Sequence, residues 1–162
     1  MAEAIKTETS QPPVPVLVVP ARSLAERERQ VHEEIARRAY EIFESRGCQH
    51  GRDVDDWFQA EAQLLHRLPH RVAQTQDRLF VFADLARNWA ADELVVGVGA
   101  HRLIISGERE VEMTYHDPHG TRTEKHLRTI FQALDLPVEV RADGATATLA
   151  GTTLEIVMPR RV

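Results

Sequence analysis

Glu93-Leu94-Val95-Val96-Gly97-Val98-Gly99-Ala100-His101-Arg102-Leu103-Ile104-Ile105-Ser106 decides the fold class of this chain. Two apolar runs rich in β-branched residues flank a glycine-marked turn, and each is too short for an ordinary helix but right for a strand. The pattern extends in both directions. Strands are predicted over 78–84, 93–98, 102–106, 110–116, 124–134, 145–149 and 153–158, with a weaker one near Val72. Gly97-Val98-Gly99, Asp117-Pro118-His119-Gly120, Leu136-Pro137, Asp143-Gly144 and Gly151 mark the turns between them. Short strands at this spacing with no intervening helix imply an antiparallel, immunoglobulin-like β-sandwich from about Pro69 onward.

Before Pro69 the apolar spacing is helical. Leu24, Val31, Ile35, Ala39, Ile42 and Phe43 fall on one face while Arg and Glu residues take the other. Ser23 and Glu26 have the spacing of a capping box, and Gly47 suits a left-handed helix end. A second helix is predicted from near Asp53, with Asp55 and Asp56 in a first turn where the helix dipole favours carboxylates. Its apolar stripe is Trp57, Leu64, Leu65 and Leu68, and Pro69 stops it. A hairpin of about 45 residues holds too little core alone, so its stripes must also pack on a neighbouring surface. Pro12, Pro13, Pro15 and Pro20 favour extended chain over helix, and a flexible arm is expected over residues 1–22. The fold class is therefore α+β, with an arm over 1–22, a helical hairpin over 23–68 and an all-β sandwich over 69–162.

The chain has 162 residues, 43% of them hydrophobic, which is enough for a packed core. Lys and Arg total 20 against 25 Asp and Glu, and the net charge of −5 is spread along the sequence. No segment has the basic face that phosphate binding needs, so nucleic acid is not an expected partner. Cys48 is the single cysteine, which precludes an intrachain disulfide and fits a reducing cytoplasm. MAEAIKTETS lacks the apolar core of a signal peptide, and Val16-Leu17-Val18-Val19 is too short to span a bilayer. A cytoplasmic protein without a membrane partner is the expectation.

Leu79-Phe80-Val81-Phe82-Ala83-Asp84-Leu85, then Asp92-Glu93-Leu94-Val95-Val96, then Leu103-Ile104-Ile105-Ser106-Gly107-Glu108-Arg109 resemble the first half of the α-crystallin domain of small heat-shock proteins. Glu124 through Leu134, Leu136-Pro137, Ala147, and Leu154-Glu155-Ile156-Val157-Met158-Pro159 resemble the second half, in the right order. The interval from Gly107 to Leu136 is long enough for the excursion that bacterial and plant members use to place an edge strand on a partner subunit. Tyr115, His116 and Glu124 are accordingly candidate dimer contacts. Departures from the pattern are Ala86-Arg87 in place of Pro-Gly, Gln132 where an interface arginine is common, an early Gly151, and no Ile-x-Ile tail before Val162. Without that tail, a dimer or low oligomer is expected. Arg38-Ala39-Tyr40-Glu41, His50-Gly51-Arg52-Asp53 and Asp56-Trp57-Phe58-Gln59-Ala60-Glu61 resemble a short bacterial helical domain of unknown function.

The family resemblance implies a groove bordered by the strands at 94–98 and 145–149, with Leu94, Val96, Val98, Ala147 and Leu149 as candidate client contacts. An extended guest pairs its backbone with such an edge and seats alternate side chains in pockets. The simpler reading is that these residues form the inner sandwich face. Val16 and Val18 point the same way in an extended chain, so the arm is a candidate occupant of that groove, in its own or a partner subunit.

Chemistry-bearing motifs are weak. His101, His116, His119 and His126 could converge if the 110–126 excursion folds back, but neither a Cys pair nor a His-x-x-x-His helix supports zinc. Cys48 has no arranged base and reads as an inert, partly buried thiol. Trp57 reads as core, and Trp89 as either an exposed contact or loop packing. The expected function is an ATP-independent holdase chaperone that binds partly unfolded proteins, without catalysis or cofactor. The alternative is a non-catalytic adaptor that binds one defined protein partner through the sandwich groove.

Overall fold

The computed structural model describes residues 12–65, 67–86 and 89–161. A strand β1 (Val14–Pro20) leads through a 3-10 turn (Ala21–Leu24) into helices α1 (Ala25–Ser45) and α2 (Asp53–Leu64). Seven strands follow: β2 (His70–Gln74), β3 (Arg78–Asp84), β4 (Leu94–Val98), β5 (Arg102–Asp117), β6 (Gly120–Asp135), β7 (Thr146–Ala150) and β8 (Thr153–Pro159). Their order is β2-β3-β8-β7-β1-β4-β5-β6. The sheet curls on itself, so that residues from both ends share one interior: Leu79, Val81, Leu154, Ile156 and Met158 meet Leu94, Val96, Leu103, Ile105 and Ile130. Strand alternation explains the set, since every second residue of β3 and β8 is in it, and Leu103 and Ile105 of β5 join them from one face of that strand.

The flexible arm gives way to β1 over residues 14–20, while residues 1–11 lie outside the described chain. Proline holds φ in a range that extended backbone tolerates, so the residues that argue against helix are compatible with this strand. Ser23 does not cap α1. The 3-10 turn begins directly after β1 and places Ser23 inside it, Leu24 becomes the N-cap residue, and no side-chain cap bond forms. At the other end Gly47 takes φ +78° as expected, and Cys48 follows at φ +58°.

Two expected strands, 102–106 and 110–116, are one. Gly107 does not break β5 because its missing side chain is what admits its neighbours: a Cβ there would meet Leu94 Cδ2 at 2.8 Å and Trp89 at 3.4 Å. With no breaker until Asp117-Pro118-His119-Gly120, β5 and β6 pair over their full 16 residues each and turn tightly. The His119 N–H donates to Asp117 Oδ1 at 2.8 Å, and Gly120 takes φ +139°. The outer half of this hairpin leaves the sandwich as a projecting ribbon, and its residues from 110 to 123 are exposed or half-exposed.

Val31, Ile35 and Ile42 of α1 bury against Ala60 of α2, with Trp57, Leu64, Leu65 and Phe131 around them. Trp57 is half-buried, its ring edge-on to His32 with centroids 6.0 Å apart. Helix α2 ends at Leu64, so Leu68 is not on its stripe and joins the sandwich interior instead. Asp56 is buried at 4% exposure and ion-paired with Arg46, a role beyond the dipole contact.

The hairpin lies on the outer face of β5. Arg102, Ile104, Ser106 and Glu108 share that face by alternation. Arg102 donates from Nη1 to Glu28 Oε2 at 3.0 Å, and Arg27 Nη2 lies 2.6 Å from Glu108 Oε1. Between these two clasps Ile104 and Ser106 are buried.

Candidate peptide-binding groove

Strand β1 is the seam of the sandwich. Its first half pairs antiparallel with β7, matching Val14 to Leu149, Pro15 to Thr148 and Val16 to Ala147. Its second half pairs parallel with β4, matching Leu17 to Val95, Val18 to Val96, Val19 to Gly97 and Pro20 to Val98. One extended segment thus supplies backbone partners to two edges that would otherwise stand apart. Val16 is 5% exposed and Leu17 61%, so alternate side chains enter the interior and leave it.

The candidate groove residues Leu94, Val96, Val98, Ala147 and Leu149 are all buried in the sandwich interior, with Val16 among them and Val18 packed alongside. The space they border is filled by β1 of the same chain. An open cleft of about 1340 Å³ lies elsewhere, between α2 and the β6 edge, lined by Phe58, Leu65, Leu68, His70, Phe131 and Leu134.

The entrance to β4 is fixed by a cluster around Trp89, which is buried as loop packing rather than exposed. The Arg109 guanidinium stacks 5.2 Å from its ring and donates to Glu93 Oε1 at 2.9 Å from Nη2 and to Oε2 at 3.0 Å from Nε. Glu93 also accepts the Ala90 backbone N–H at 2.8 Å. The Arg109 hydrogen bonds, opposed by partial desolvation, hold the Glu93 carboxyl below its ordinary value of 4.5. Arg102 does the same to Glu28. A depressed carboxyl stabilises the fold at pH values above its unfolded pKa, and that contribution is lost as pH falls through the folded value. The thermal midpoint is therefore expected to drop as pH falls below 4.5, and Glu28→Gln with Glu93→Gln to flatten that drop in a calorimetric pH series.

Tyr115 and Glu124 share the ribbon face that continues the interior face, and His116 is on the opposite one, as the pairing register requires. Tyr115 Oη is 3.3 Å from His126 Nε2, Glu124 is 3.3 Å from His126 and 3.1 Å from Arg122, and the Arg122 guanidinium lies 5.4 Å from the Tyr115 ring. This is an ordered polar and aromatic cluster on an exposed surface. His116 instead sits 3.3 Å from Thr121 Oγ1. His116 and His126 are on opposite faces, so the four histidines do not converge. Among the described residues, no three His, Cys, Asp or Glu side chains are placed to hold a metal. Cys48 is exposed, not partly buried, because its left-handed turn holds it off both helices.

Gln132, which stands where the family pattern commonly has an interface arginine, has a role with no motif in the sequence. Its Oε1 accepts the Leu68 N–H at 2.9 Å and its Nε2 donates to the Leu68 carbonyl at 3.3 Å, so one side chain fastens the α2–β2 connection to β6. The clasps of Arg27 and Glu28 on β5 carried no motif either.

The arrangement has counterparts of known structure. A structure of the Del-C4 mutant of hsp14.1 from Sulfolobus solfatataricus P2 is 28% identical with a TM-score of 0.51, covering 62% of this chain and 81% of that one. The sandwich is of the small heat-shock protein type. Other similar structures include a small heat-shock protein from Xylella fastidiosa, 25% identical at a TM-score of 0.47, covering 60% of this chain and 88% of that one. Another is hspA from Xanthomonas axonopodis, 26% identical at 0.46, covering 58% and 93%. Residues 30–66 match a family described as a protein of unknown function, DUF2934. A search of curated proteins finds no match. At the level of the family, the structural likeness supports a chaperone-type function for the small heat-shock protein sandwich, here joined to a helical hairpin.

Proposed function

We propose that this protein is an ATP-independent holdase that binds partly unfolded polypeptides through the seam now filled by β1. One observation carries the reading: an extended segment with alternate apolar residues is accepted by backbone pairing, its first half with β7 and its second half with β4. A client segment with the same alternation satisfies the same donors and acceptors, and the apolar contacts it makes are non-directional, so sequence variety is tolerated. Leu94, Val96, Val98, Ala147 and Leu149 are the client contacts on this reading, with Val16 and Val18 as the side chains a client replaces. Binding one segment by displacing another gives the weak, repeated contacts a holdase needs.

Self-association as a dimer or low oligomer forms part of the proposal. The ribbon carries Tyr115, His116 and Glu124 away from the sandwich, and a two-stranded ribbon is marginal in water without a partner surface. The function needs no cofactor and involves no catalysis, nucleic acid or membrane. Among the described residues no helix is long and apolar enough to cross a bilayer. The single cysteine accords with a cytoplasmic setting.

An adaptor for one defined partner is the competing reading, favoured by the ordered Tyr115–His126–Glu124–Arg122 cluster, which has the aromatic and arginine content of an interface anchor. Suppression of heat-induced aggregation of an unrelated client, without nucleotide, separates the two. Protection at near-stoichiometric amounts supports the holdase. No protection, together with loss of a single tight partner in Tyr115→Ala, supports the adaptor.

A further inference from the structure

We propose that the helical hairpin is a removable lid over a second polypeptide-binding face, the outer face of β4-β5-β6, and that it opens together with β1. The inference rests on the holdase reading for what binds there, but the opening itself does not depend on it.

The covered face has the composition of a binding surface. Ile104 is fully buried on it, and Phe131, which pairs with Ser106, is half-buried against the helices. Polar Ser106 and Thr129 are also buried there, whereas Leu79, Val81, Leu94, Val96, Leu154 and Ile156 make the buried set of the sandwich interior apolar. A face mixing apolar and hydroxyl groups is less costly to return to water than a fully apolar one.

The attachments are of the kind that loosen. Arg27–Glu108 and Arg102–Glu28 fasten α1 to β5, with side-chain exposures of 20% and 47% in the first pair and 41% and 24% in the second. Arg27 Nη2 is close to its carboxylate but makes no aligned hydrogen bond. Partly solvated pairs of this kind contribute little each and weaken with salt. The hairpin is held together by its own apolar cluster of Val31, Ile35, Ile42 and Ala60 and by the buried Arg46–Asp56 pair, so it moves as a unit.

Coupling to β1 follows from the join. No linker separates Pro20 from the 3-10 turn, and that turn rests directly on β4: a Cβ on Gly97 would lie 2.8 Å from Leu24 Cδ1 and 3.2 Å from Ala21 Cα. A Cβ on Gly99 would lie 3.3 Å from Ala21 Cβ. Lifting α1 from β5 pulls the turn off β4, and with it the half of β1 that pairs with β4. A client that engages the seam therefore gains access to Ile104 and Phe131 as well.

The test uses two variants of the full chain. Arg27→Gln with Glu28→Gln removes both clasps and is expected to speed amide exchange in α1, β1 and β5 together by roughly tenfold, with a rise in hydrophobic-dye fluorescence. Arg27→Cys with Glu108→Cys, in a Cys48→Ser background, locks the lid when the two thiols are joined by a bis-methanethiosulfonate cross-linker long enough to replace the Arg–Glu reach. The cross-linked form is expected to lose dye binding and client protection, and reduction, which cleaves the linker, to restore both. Exchange in β1 and β5 that stays at the wild-type rate in the unclasped variant would overturn the proposal, as would dye binding indifferent to the lock. If dye binding follows the lock while neither form protects a client, the lid stands and the holdase reading fails.

Discussion

Replacing Val16 with aspartate is expected to release β1 and open the seam. Val16 is 5% exposed within the sandwich interior, where an unpaired carboxylate is far costlier than exposure of the strand. The chain therefore relieves the charge by undocking, and the loss is capped by what β1 contributes: burial of Val16 and partial burial of Val18, less the ordering of a short segment. That amounts to about 2–4 kcal/mol. The measurement is thermal unfolding with dye fluorescence in parallel, where the midpoint falls and fluorescence at 25 °C rises. Leu17→Asp changes the adjacent side chain, which is 61% exposed, and is expected to alter neither.

Asp56→Ala is expected to destabilise the helical hairpin by a similar amount. Its carboxylate is 5% exposed and pairs with Arg46, a residue whose Nε and Nη1 are buried without partners. Removing the anion leaves a largely buried guanidinium with no compensation, an error of about 3–5 kcal/mol when burial is complete. Arg46 keeps 25% of its side chain in solvent, which brings the expected loss to about 2–4 kcal/mol. Protease cleavage between residues 25 and 64 should then accelerate while the sandwich stays resistant. Adding Arg46→Met should recover much of the loss, because the double variant buries no charge.

The α+β class was legible because period and turn chemistry agreed over long stretches. The strand predicted over 78–84 has the bounds of β3, Arg78 to Asp84, and the helix predicted from near Asp53 on its carboxylate-rich first turn is α2. What escaped involves contacts distant in sequence. Separate strands over 102–106 and 110–116 follow from the local pattern, yet in the fold they are one, and Gly107 between them is a strand position where Leu94 and Trp89 need the space. The prolines of the arm predict flexible chain, because sequence shows their effect on the chain and not the two edges waiting for a strand. Ser23 and Glu26 match a capping box, but the preceding strand sets where the helix begins, and Glu26 is held by Arg29 instead. Among candidate site residues, the alternation in β4 and β7 was readable, and so was the shared face of Val16 and Val18. Clasps such as Glu28 to Arg102 span 74 positions and leave no local pattern.

The central claim is that a client takes the place of β1 between β4 and β7. Its most direct test is aggregation protection by a chain carrying Val16→Cys and Ala147→Cys in a Cys48→Ser background, since these two residues are ladder partners with side chains on the same face. The expected result is little protection when the disulfide holds β1 in the seam, and full protection after reduction. Equal protection by the oxidised and reduced forms, with the disulfide verified by mass, would contradict the claim.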